Sequence, residues 1–133
     1  MTYKLAVQDK GHYYHFVVTG ENTIENVSSY LGEIHKICIR DGCSRVLIEE
    51  NFEGPGLGTM PIYDIITDIG LQARMTVRKI AFINANPDHD IREMKFAETV
   101  AVNRGVNIKV FSNVAEAEEW ILSGIGDTQQ AKD

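Results

Sequence analysis

Arg45-Val-Leu-Ile-Glu-Glu-Asn-Phe-Glu-Gly-Pro-Gly-Leu-Gly-Thr-Met-Pro-Ile-Tyr63 decides the fold. Val46 to Ile48 is a short, mostly β-branched apolar run, suited to a strand buried on both faces. Glu49 to Glu53 then brings three carboxylates and an amide to the end of that strand. Gly54, Gly56 and Gly58 make a bend, and Thr59 with Pro61 opens a helix. Strand ends that run into glycine-rich bends are where open α/β sheets place ligands and switches. The expected partner or switch surface is therefore Phe52, Glu53, Gly54, Gly56, Leu57, Gly58, Thr59 and Met60. The three glycines predict a mobile bend. Phe52, Leu57 and Met60 are contact anchors if exposed and pins to the sheet if buried.

Outward from this stretch, strands and helices alternate. Tyr3, Leu5 and Val7 alternate with polar residues, Asp9-Lys-Gly11 predicts a hairpin turn, and His12 to Thr19 returns as an aromatic, β-branched strand ended by Gly20. Asn22 or Thr23 caps a long helix with the stripe Ile24, Val27, Leu31, Ile34 and Cys38, stopped by Gly42. Glu25 would complete a capping box from Asn22. Ile62, Ile65, Ile66 and Ile69 line a second helix, expected to fray near Gly70. Ile80-Ala-Phe-Ile83 is a second interior strand. Met94, Ala97, Val100 and Ala101 line a third helix closed by Gly105, and Val106 to Phe111 is the last strand. Val114, Ala117, Trp120 and Ile121 line a short final helix, with Trp120 as a core anchor. The order predicts an α/β fold with a mixed, mostly parallel five-stranded sheet, its first strand antiparallel, and about four helices. Residues 1–122 form one domain, and 123–133 read as a flexible polar tail.

Charge and composition narrow the function classes. The net charge of −6 excludes a general nucleic-acid binder, and no apolar run approaches the length of a membrane span. The opening segment lacks the apolar core of a secretory signal, so cytoplasm is the expected compartment. Cys38 and Cys43, the only cysteines, read as reduced structural thiols.

Val18-Thr-Gly20, Arg45 to Gly54, Arg78-Lys-Ile-Ala-Phe-Ile83 and Val110-Phe111 followed by Ala117-Glu-Glu-Trp-Ile-Leu122 together resemble the STAS domains. The similarity is closer to their SpoIIAA-like branch, related to the CRAL-TRIO lipid-binding group. The resemblance implies a regulatory, protein-interaction role without catalysis, and through CRAL-TRIO a carrier of a small apolar or lipid-like ligand. STAS antagonists carry an Asp followed by a phosphorylatable Ser or Thr at the central strand's junction with the next helix. Here Glu50 to Thr59 contains no such pair and the loop is longer, so that switch does not transfer. Thr59 is only a stand-in at a similar helix start.

Sequence motifs for chemistry are weak. Gly54-Pro-Gly-Leu-Gly-Thr59 lacks the lysine of a phosphate-binding loop and the spacing of a dinucleotide fingerprint, so no cofactor is expected. Glu49, Glu50, Glu53, Asp88, His89 and Asp90 follow two neighbouring strands and could converge as an acid/base or cation site. Strand alternation opposes this by sending Glu49 and Glu50 to opposite faces. His12 and His15 read as surface residues of an edge strand. The leading expectation is a non-catalytic module with a protein partner, self-association being compatible. A ligand carrier, requiring an apolar cavity of about 300 Å³ or more, comes second. An enzyme using the acidic loops comes third.

Overall fold

A computed structural model of the chain describes residues 2–125. Five strands, β1 (Tyr3–Asp9), β2 (Tyr14–Glu21), β3 (Arg45–Glu53), β4 (Lys79–Asn84) and β5 (Ile108–Phe111), form one sheet in chain order. Four helices accompany them: α1 (Ile24–Asp41), α2 (Thr59–Thr76), α3 (Ile91–Asn103) and α4 (Val114–Leu122). β1 runs antiparallel to β2, and every later pair is parallel. This is the mixed sheet expected, with β3 in the middle and β4 beside it. Its topology is of the STAS/SpoIIAA type.

Each crossover steps one strand in the same direction, so connections of one hand put α1, α2 and α3 on the same face. There α1 packs on α2 and α2 on α3, while α4 packs on β3, β4 and β5. Two cores result. Phe16, Val18, Val46, Ile48 and Phe52 meet Tyr30, Ile34 and Cys38 of α1 on one face. Tyr13, Leu47, Ala81 and Ile83 meet Ala117 and Ile121 of α4 on the other. The register Phe16↔Ile48↔Phe82↔Val110 fixes the first face and carries Glu50 with it, beside Val18 and Asn84.

Several local expectations are corrected. Of the two expected caps it is Thr23 that caps α1, its hydroxyl accepting the Asn26 N–H at 3.1 Å, so the capping box from Asn22 does not form. The buried stripe of α1 is Asn26, Tyr30, Ile34 and Cys38, whereas Ile24 is 46% exposed. Asn26 can be buried because its amide donates to Thr2 Oγ1 and the Glu21 carbonyl at 2.6 and 2.8 Å. β2 runs past Gly20 to Glu21, since Gly20 lies in the pairing of β1 with β2. α2 does not fray at Gly70 but continues to Thr76. Gly70 is a packing residue, and a Cβ there would meet the Arg104 side chain at 3.4 Å. His15 is buried in an interior strand and bonded to Glu49 at 3.0 Å, while His12 is exposed. Of the expected polar tail, residues 126–133 lie outside the described residues.

Candidate functional site

The bend after β3 is laced down by polar side chains from three other segments. Asn22 donates from Nδ2 to the Pro55 carbonyl at 2.8 Å, and Asn86 from Nδ2 to the Phe52 carbonyl at 2.7 Å. His89 Nε2 reaches the Gly54 carbonyl at 2.8 Å, while its Nδ1 lies 2.9 Å from Asn84 Nδ2. Nδ1 also lies 3.2 Å from Asn84 Oδ1, so the ring is held between the Gly54 carbonyl and the Asn84 side-chain amide. The Leu57 N–H donates to Glu93 Oε1 at 3.2 Å. Gly58, at φ +90°, is the N-cap of α2 and leaves Thr59 exposed in its first turn. A Cβ at Gly56 would lie 2.6 Å from Glu93 Oε2, so a larger residue there would push the Glu93 carboxylate aside.

The apolar residues of the bend divide. Phe52 is fully buried, set edge-on to the Tyr30 ring with centroids 5.5 Å apart, and so pins the bend to the sheet. Leu57 is half-buried and faces inward. Met60 is 66% exposed, and Tyr63 one turn on is exposed as well. Glu53, Gly54, Gly56 and Gly58 are exposed.

Under the bend lies a cavity of about 140 Å³, between the sheet and α1, α2 and α3. Its floor is Ile48, Ile80, Phe82, Ile108 and Val110, and its roof includes Ile62, Ile65, Ile69, Ala73 and Ala97. Because the space is open, Ile80, Phe82, Ile108 and Val110 stay only half-buried although helices cover their face. Polar groups gather toward the bend: Asn22, Tyr30, Glu50, Asn84, His89 and Glu93 all line the cavity. Glu98 lines it too, with Oε2 accepting the Val110 N–H at 2.6 Å and Oε1 3.7 Å from Lys95 Nζ.

Glu50 is the buried charge-bearing group of this wall, at 5% exposure. The Tyr30 hydroxyl donates to its Oε2. Burial raises the Glu50 pKa, and the Tyr30 hydrogen bond opposes that rise. Burial and the neighbouring Glu50 carboxylate together push the Tyr30 phenol well above its usual 10.

Of the six acidic-loop candidates, only Glu50 and His89 come together at the cavity. Glu49 points to the opposite face with His15, Glu53 and Asp88 are exposed, and Asp90 caps α3 by accepting the Arg92 N–H at 2.9 Å. Sequence reading did not assign Tyr30, Asn84 or Glu93 to a site. Tyr30 was detectable in hindsight as the aromatic four residues after Asn26 and four before Ile34. Among the described residues no three His, Cys, Asp or Glu side chains form a group able to hold a metal, and no helix is long and apolar enough to cross a membrane. No family model, curated protein or solved structure matches the chain.

Proposed function

We propose that this domain is a non-catalytic binding module of the SpoIIAA-like kind, and that it holds a small, apolar-bodied molecule beneath the bend. The observation that carries this reading is the cavity of about 140 Å³ with apolar floor and roof. Protein interiors are close-packed, and an apolar void of this size forfeits packing energy unless something fills it. Its volume falls short of the roughly 300 Å³ expected of a ligand carrier but is close to the roughly 150 Å³ that accommodates benzene. The occupant is therefore a compact molecule rather than a long lipid chain. Two features favour binding over catalysis. The described lining residues include no Ser, Thr, Cys or Lys, and the buried Glu50 carboxyl is already engaged by the Tyr30 hydroxyl. Tyr30, with its pKa well above 10, keeps its proton at neutral pH. Regulation follows from Glu93, which lines the cavity and holds the Leu57 N–H, so an occupant touching it bears on the bend.

The test is a toluene titration followed by amide chemical shifts and thermal denaturation. Shifts confined to residues around Ile48, Phe82 and Ala97, with a rise in Tm, are expected. Absence of both at saturating toluene would sink the reading. A protein partner at the start of α2 is the second reading, favoured by the exposed Met60 and Tyr63 beside the bend. It requires that Met60→Glu abolish capture of a host protein which the unmodified chain retains. Capture unchanged by that substitution would remove this surface from the interface.

A further inference from the structure

We propose that the occupant of the cavity is a small primary amine, an apolar body of roughly six carbons carrying an ammonium head that meets Glu50. This rests on reading the cavity as a ligand site. The lining residues include three carboxylates, Glu50, Glu93 and Glu98, and among the described ones neither Lys nor Arg. The other titratable groups there are Tyr30 and His89. Both ring nitrogens of His89 are already engaged, Nε2 by the Gly54 carbonyl and Nδ1 by the Asn84 side-chain amide. Tyr30 already donates to Glu50. Glu98 is engaged by the Val110 N–H and lies near Lys95, and Glu93 accepts from Leu57. Glu50 differs from both in being nearly fully buried against apolar walls. With Oε2 taken by Tyr30, Oε1 is the atom it can offer to a guest.

The chemistry of the head follows. A carboxylate guest would set like charges together beside a carboxyl that is nearly fully buried. A hydrocarbon guest fills the apolar part but gives the buried carboxyl nothing. An ammonium supplies three donors and the opposite charge, which makes its hydrogen bond to Glu50 charge-assisted. The apolar body then lies along Ile48, Phe82 and Val110 under Ile62, Ile65 and Ala97.

Three probes of similar size separate these cases on the full chain: toluene, benzylamine and benzoate, each titrated by calorimetry and amide shifts. Benzylamine should bind at least tenfold more tightly than toluene, and benzoate should not bind. Glu50→Gln should lower benzylamine to the affinity of toluene and leave toluene unmoved, which also reports that the variant is folded. Benzoate binding as well as benzylamine, or a benzylamine preference that survives Glu50→Gln, would overturn the amine assignment. Should that variant not fold, the ranking of the three probes on the unmodified chain decides. Toluene binding without a benzylamine preference removes the amine alone, whereas failure of both probes removes the ligand site.

Discussion

Glu50 is a nearly fully buried carboxyl group, and its titration should be visible in stability. Burial raises its pKa above the unfolded value near 4.5, so the folded chain holds this proton more tightly than the unfolded chain does. The contribution is therefore fullest below the unfolded pKa and is lost as pH rises through the folded one. Glu50→Gln keeps an oxygen for the Tyr30 hydroxyl and removes the titration. Urea denaturation at about pH 4 and about pH 7.5 should show the glutamine variant gaining on the parent as pH rises. A gap independent of pH would mean that Glu50 is solvated. Cys43 offers a second residue-scale measurement. A hydrogen bond from Cys38 lowers its thiol pKa to about 7, against the effect of burial. Cys38 itself is buried and pushed upward, first by its hydrogen bond with Cys43. Alkylation of the folded chain should modify Cys43 with a midpoint near pH 7 and spare Cys38. Cys38→Ala should move that midpoint up toward about 8.5.

At the scale of elements, the second core depends on how α4 is held. Trp120 is half-buried on Phe111, ring centroids 5.7 Å apart, with Lys79 Nζ 4.7 Å above the indole. The end of α4 is closed by cations from neighbouring strands. Lys79 donates to the Trp120 carbonyl at 2.9 Å, and Arg45 to the Ile121 carbonyl at 2.7 Å. Positive charge at a helix C-terminus offsets its dipole. Trp120→Ala should therefore destabilise the fold by roughly 3 kcal/mol in a denaturant titration. A loss below about 1 kcal/mol would mean that Ala117 and Ile121 alone seal this face. The helix itself was legible from Ala117, Trp120 and Ile121, because apolar spacing records the side that faces the sheet, whereas Val114 on the same spacing is exposed. The Arg45 cap was not, because residues 45 and 121 meet only through the sheet. Where the stripe contains a satisfied polar residue, as Asn26 does in α1, spacing alone selects Ile24 and misplaces the face.

Across the whole molecule, the sheet was readable in detail and the cavity was not, for a definite reason. Hydrophobic periodicity says which residues face inward, but a void depends on the sum of their volumes and on how close the layers stand. Here α2 and α3 present Gly70, Ala73, Ala97 and Ala101 to the sheet. Small side chains on facing helices leave the space that larger ones would fill. Refilling it is thus a test of the entire arrangement. At about 24 cal/mol per Å³, an enclosed void of 140 Å³ would forgo roughly 3 kcal/mol, an upper bound for a cavity that opens in part to solvent. Ala97→Leu would occupy part of it from α3 and should stabilise the chain by about 1 kcal/mol, raising Tm by a few degrees. The same substitution should abolish toluene and benzylamine binding, since the added atoms take the guest's place. Stability and binding then move in opposite directions, as expected for a site whose emptiness serves its ligand. Thermal denaturation and probe titration of the one variant check both halves. A variant that is destabilised and still binds toluene would show that Ala97 abuts packed atoms rather than open space, and the position of the guest would have to be redrawn.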